Sequence, residues 1–231
     1  MTRLETALRK LLDPDPVTRN LARVLVAACR RGRVSYDEVQ RITKESADDV
    51  LLVGIELRVL LPVRTLRSAA WEDRILLAEP GEMYELPNVV RFLVRNAGRT
   101  GQWNPNEVLS EVFRLAGEPE WEQIPRLVER LGEKSQDYRI NAVQVREACI
   151  DLGLGDRVDT LIAELKGSGV MSPKLSSLGQ VARIGSPTYE LNPSLFPSKR
   201  KRGETWGLRK RQSERVAKGE VVGERRDELG E

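Results

Sequence analysis

The chain has 231 residues, with 38 Lys/Arg against 35 Asp/Glu, 32% charged residues, 5% aromatics and no histidine. That length allows one large core or two modest ones, and high charge with few aromatics favours helices over a β-sandwich. Without histidine, Ser-His and Cys-His nucleophile pairs, imidazole acid–base chemistry and most zinc sites are excluded.

The remaining chemistry is equally sparse. Cys29 and Cys149 stand 120 positions apart inside apolar helical patterns, which reads as two buried thiols; a disulfide or redox pair is the alternative. No glycine-rich phosphate cradle occurs in a strand-to-helix context. Carboxylates fall beside Lys and Arg on polar faces, the usual solvated arrangement. No enzyme, cofactor or metal is expected. No run of eighteen apolar residues exists and the first residues, Met1-Thr2-Arg3-Leu4-Glu5, are charged, so no membrane partner and a cytoplasmic place are expected.

In chain order, residues 1–15 form a short amphipathic element with Leu4, Leu8, Leu11 and Leu12 at helical spacing, ended by Asp13-Pro14-Asp15-Pro16. Asp15 as N-cap and Pro16 at the first position open a helix over 16–31, with Leu21, Val24, Leu25 and Ala28 inside and Gly32 closing it. Arg33-Val34 reads as a brief strand, and Ser35 caps a helix over 36–43. Ser46 with Asp49 resembles a capping box opening a helix to about Val59. Strands are expected at 60–66 and 74–78, a bend at Pro80-Gly81, and an extended run from Met83 to Leu86.

The middle reads as helical: 89–97 capped by Asn88 and ending at Gly98, 105–116 opened by Asn104 and Pro105, and a helix from Pro119 to about Gly132. Tyr138-Arg139-Ile140 is a strand, Asn141 caps 142–152, and 156–168 puts Val158, Leu161, Ile162 and Leu165 in one stripe. Val170-Met171, Val181-Ala182-Arg183 and Tyr189-Glu190-Leu191 finish the second half as strands.

Two stretches repeat. Met83-Tyr84-Glu85-Leu86 returns as Thr188-Tyr189-Glu190-Leu191, and Arg33-Val34-Ser35 returns as Arg139-Ile140-Asn141, with 50 and 49 positions between Val34 and Tyr84 and between Ile140 and Tyr189. Each half reads helix, strand, helix, helix, strand, strand. This order resembles the winged-helix domain, a helix-turn-helix variant whose β-hairpin is the wing. The resemblance implies a mainly α fold with small β-hairpins, as tandem winged-helix domains over 16–87 and 119–197 joined by a helical connector over 88–118. Residues 198–231, with Lys199-Arg200-Lys201-Arg202 and Arg209-Lys210-Arg211 among polar residues, are expected to be a disordered basic tail.

The resemblance implies nucleic-acid binding, with the third helix of each unit at a groove. Residues 1–196 carry 27 Lys/Arg against 28 Asp/Glu, so the positive balance comes from the tail. Candidate phosphate contacts are Arg30, Arg31, Arg33, Arg41 and Lys44 around the first helices. On the first wing they are Arg64, Arg67, Arg74 and Trp71, and in the second unit Arg157, Lys174 and Arg183. Dipole complementarity for the helix-end arginines and core cover for Trp71 are the plainer alternatives. The tail cations Lys199, Arg200, Lys201, Arg202, Arg209, Lys210 and Arg211 would add affinity without sequence choice, solubility being the alternative. The first third helix opens on Asp48 and Asp49 and is too apolar for one core stripe, so Leu51, Leu52 and Ile55 are expected to form an interface with another helix or chain, simple deep burial being the alternative. The expected function is a dimeric, nucleoid-associated transcriptional regulator binding duplex DNA. The alternative is a protein-interaction scaffold of paired winged helices.

Overall fold

The computed structural model describes residues 1–174 and 186–199. Helix α1 (Arg3–Leu8) opens on a capping box between Thr2 and Glu5. Helix α2 (Pro16–Arg31) opens on Asp15, whose carboxylate accepts from Thr18 N, and stops at Gly32, whose φ of 75° is cheap only for glycine. Strand β1 (Arg33–Ser35), helices α3 (Tyr36–Thr43) and α4 (Ala47–Glu56), and strands β2 (Leu61–Pro62) and β3 (Met83–Glu85) follow. Helices α5 (Asn88–Thr100) and α6 (Pro105–Ala116) form the middle. Then come α7 (Ile124–Lys134), β4 (Arg139–Asn141), α8 (Ala142–Asp151), α9 (Val158–Ser168), β5 (Met171–Lys174) and β6 (Thr188–Leu191).

The described residues are mainly helical, with two small antiparallel sheets among them, ordered β1-β3-β2 and β4-β6-β5. The repeat is a pairing. Val34 lies opposite Tyr84 and Ile140 opposite Tyr189, so each early strand is closed by its own Tyr-Glu strand. Both tyrosines and both aliphatics point inward and are buried, which fixes the register, because a one-residue slip would expose them.

Several local expectations change. The first element keeps helix only to Leu8, although Leu11 and Leu12 still pack into the core. The Ser46–Asp49 capping box does not form: a 3-10 turn over Lys44–Ser46 intervenes, and the Ser46 hydroxyl donates to Thr43 O instead. Helix α5 runs through Gly98 and ends on Gly101 at φ 77°, three residues beyond the expected stop. Helix α7 starts at Ile124, after turns over 119–123. The expected strand over 60–66 shrinks to Leu61–Pro62, and 74–78 keeps only a bridge between Thr65 and Arg74. The reason lies next to it: Trp71–Asp73 forms a 3-10 turn pulled against the second unit, where Ser172 Oγ accepts from Trp71 N at 3.0 Å.

One buried apolar cluster runs from Leu4 through α5 and α6 to Phe196, so the two units share a core. Trp103 on the connector is 1% exposed and donates its indole N–H to Ser194 O at 2.8 Å. Gly169, at φ 80°, lies so close to Pro87 that a Cβ there would stand 2.5 Å from the proline Cβ. Both thiols are free; Cys29 is half-buried and Cys149 buried.

Candidate nucleic-acid interface

The residues expected on the wings are brought together, but against carboxylates and against each other. Arg64 pairs with Glu82 at 2.6 Å, and Arg74 with Glu85 at 2.7 Å while also donating to Pro62 O at 2.8 Å. Lys174 forms an ion pair with Glu72 that crosses between the units, and Arg157 is clamped on the buried Glu118. Trp71 is 7% exposed, lies 5.8 Å beneath the Arg58 guanidinium and adjoins β5, so its core-cover alternative describes its place. Where the wings were expected, these cations are neutralised by carboxylates, even though Arg64 itself stays about half exposed, which leaves little net positive potential for a phosphate strand. Arg67 is exposed, as are Arg41 and Lys44 at the end of α3, and the exposed Asp48 and Asp49 follow within a few residues at the start of α4.

The apolar α4 finds its partners inside the chain. Val50, Leu51, Val53, Gly54 and Leu57 are buried as α4 packs on α2 and α3. Leu51, expected at an interface, is 0% exposed and belongs to the core; a helix packed on two neighbours has more than one buried stripe. Leu52 and Ile55 are half-buried at its outer edge. Helix α9 is turned toward the first unit: Ala163, Lys166 and Gly167 line a cleft of about 650 Å³ with Trp71, Arg74 and Met171.

Positive charge collects elsewhere. Residues 1–35 and 88–101 carry eleven Lys/Arg against three Asp/Glu, whereas the rest of 1–196 carries sixteen against twenty-five. The neutral body is thus a dipolar one. Helix α2 contains no acidic residue, and its outer stripe reads Arg19, Arg23, Val26, Arg30, at spacings of four, three and four. Helix α5 also lacks acids and presents Arg91, Arg95 and Arg99 on its outer side.

Contacts at both ends join the rows. Arg91 donates from Nε to Cys29 O at 2.9 Å and from Nη2 to Arg30 O at 3.2 Å, so α5 begins where α2 ends. At the other end α1 spans both helices: Arg3 donates to Arg99 O at 2.5 Å and Glu5 meets Arg19 at 3.5 Å. The two helices therefore pack antiparallel, with rows about 8–10 Å apart. The α2 row extends about 16 Å from Arg19 to Arg30 at 1.5 Å rise per residue. Arg95 rests 5.1 Å over the half-buried Phe92 ring, which holds its guanidinium outward. Arg31 at the end of α2 and Arg33 just past Gly32, both exposed, continue the layer. Among the described residues, no carboxylate lies within ion-pair distance of Arg23, Arg30, Arg31, Arg33, Arg91, Arg95 or Arg99.

Of the expected contacts, Arg30, Arg31 and Arg33 thus join this layer, while Arg64, Trp71, Arg74, Arg157 and Lys174 do not. Lys199 is tied to the fold, its Nζ donating to Gly132 O, Ser135 O and Ser135 Oγ at 2.5, 2.8 and 2.8 Å. Arg183, Arg200, Lys201, Arg202, Arg209, Lys210 and Arg211 lie outside the described residues. Sequence reasoning missed Arg19, Arg23, Arg91, Arg95 and Arg99. The readable signal was two helices without a single acid, hidden by averaging charge over the body.

No helix among the described residues is long and apolar enough to cross a membrane, and no group of three His, Cys, Asp or Glu there is placed to hold a metal. A family model matches residues 6–200, covering both halves and the helices between them, and the chain belongs to that family. No curated protein and no solved structure matches the chain.

Proposed function

We propose that this family member binds duplex nucleic acid through the arginine layer of α1, α2 and α5, carried on two winged-helix units whose wings are turned inward. The segregation of charge onto two acid-free helices carries the reading. Arginine rows with no insertion residues beyond Val26 suit a phosphate backbone better than a bilayer, which needs an apolar face to enter. The winged-helix assignment is supported by the order helix, strand, helix, helix, strand, strand and by the β1-β3-β2 and β4-β6-β5 sheets. Contact through phosphates implies tolerance of sequence. Acidic residues at the starts of α4 and α9, Asp48, Asp49 and Asp159, disfavour base reading there. A regulatory role would then work by occupancy and by what the protein brings to the duplex.

The scaffold reading draws on a different observation, the half-buried Leu52 and Ile55 beside an acidic helix start. A salt titration of binding to random-sequence duplex tests the first reading, using the full chain and residues 1–199. Retained binding by 1–199 at about 100 mM salt, with log affinity falling steeply against log salt, supports the layer as the contact surface. Loss of all binding with the tail would favour the scaffold.

A further inference from the structure

Among the described residues, nothing packs on one face of helix α8. Its inner side buries Val145, Ala148 and Cys149, yet Val143 and Ile150 are 54% and 57% exposed on the other side. Arg146 and Glu147, also exposed, lie between them, and positions 143, 146, 147 and 150 share one face at helical periodicity. Apolar residues seven apart on a solvent face of a short helix are not explained by the helix's own packing.

The order of these four residues is its own complement. A two-fold axis crossing α8 between Arg146 and Glu147 sets Val143 against Ile150 of a second copy, and Arg146 against Glu147 of that copy. Parallel packing would oppose Arg146 to Arg146 and Glu147 to Glu147, so charge selects the antiparallel arrangement. In the single chain Glu147 accepts from Lys134 Nζ at 3.3 Å, and Lys134 also lies 3.7 Å from Asp151. Arg146 has no carboxylate within ion-pair distance among the described residues, and a second copy supplies one.

We propose that α8 is a self-association surface and that its occupant is α8 of a second copy of this chain, packed antiparallel about a two-fold axis. The helix is about 15 Å long, so the contact falls below the roughly 1,200 Å² of stable interfaces and the dimer is a weak one. This inference does not rest on nucleic-acid binding, and it places the dimer contact on the second unit, away from α4.

Sedimentation equilibrium of the nuclease-treated full chain tests it, over roughly 10 µM to 1 mM, the range of weak association. The wild type should rise from 26.1 kDa toward twice that mass. V143E/I150E should stay monomeric. R146E alone and E147R alone should each lose association, because each opposes like charges across the axis. An equimolar mixture of those two variants should associate again, since each then supplies the charge the other lacks. A structural defect would not be repaired by mixing. A wild type that stays monomeric throughout, single variants that associate normally, or a mixture that fails to recover would each overturn the proposal.

Discussion

Arg58, just past α4 in the first unit, donates from Nε and Nη2 to Glu190 Oε1 on β6 at 3.0 and 2.8 Å. Its guanidinium also lies over Trp71, and its carbonyl accepts from Asn192 Nδ2 at 3.1 Å. Both ion-pair side chains are largely covered, 20% and 15% exposed, so truncating one strands a half-buried charge. Arg58→Ala should lower unfolding free energy by about 2–3 kcal/mol in denaturant melts, and Arg58→Lys by less. A change within about 0.5 kcal/mol, the scale of ordinary surface substitutions, would mean that the two units are not held together here.

Gly169 sits at the second seam. A Cβ there meets Pro87 at 2.5 Å and the backbone is left-handed at φ 80°. Gly153 is also left-handed, at φ 74°, but open. Gly153→Ala should therefore cost about 1 kcal/mol from backbone strain alone, and Gly169→Ala about 2–4 kcal/mol because packing must also give way. Equal losses in thermal melts would show that the Pro87 contact yields freely.

The pH dependence of stability should carry the mark of Glu164. Burial, together with its hydrogen bond to Glu118 and that group's charge, pushes its carboxyl up to about 7. Burial also opposes ionisation of Glu118, yet hydrogen bonds led by the one from Arg157 hold that carboxylate down at about 2. The two have opposite signs. Glu164 binds its proton more tightly folded than unfolded, so stability falls as pH rises from 4.5 through about 7. Glu118 contributes stability above 4.5 that disappears as pH falls toward 2. Glu164→Gln should raise stability at pH 8 by about 1 kcal/mol or more and flatten the profile between pH 5 and 7. An unchanged slope in that window would remove Glu164 as its cause.

Much of this architecture was legible because local chemistry dictates it. Asp15 before Pro16, Ser35 before α3 and Asn141 before α8 each accept from the backbone three residues on, as their side chains demand. The repeated Tyr-Glu strands and their entry strands were legible as a matched pair of spacings, and the fold turns each spacing into a pairing, Val34 with Tyr84 and Ile140 with Tyr189. What could not be read was tertiary. Nothing local says that Trp71 turns toward Ser172, so the first wing looked free and its arginines available. Lys174 and Arg157 likewise find their carboxylates, Glu72 and Glu118, 102 and 39 positions away. Leu51 looked surplus to one stripe because the second neighbour of α4 appears only in the fold. The rows of α2 and α5 were legible singly but not jointly, since about sixty residues separate them in the chain and only tertiary contacts, such as Arg91 against Cys29 O and Arg30 O and α1 bridging the far ends, put them side by side.

On the proposed reading, phosphates meet the α2/α5 rows and not the wings. Charge reversal separates the two surfaces in residues 1–199 and in the full chain. R23E/R30E/R95E should bind random-sequence duplex at least about ten-fold more weakly near 100 mM salt. Its log–log salt slope should shrink by about 0.9 for each phosphate no longer neutralised, with the melting temperature little changed. R64E/R67E should bind like the wild type. The opposite pattern, with full affinity in the row variant and weakened affinity in the wing variant, would contradict the account.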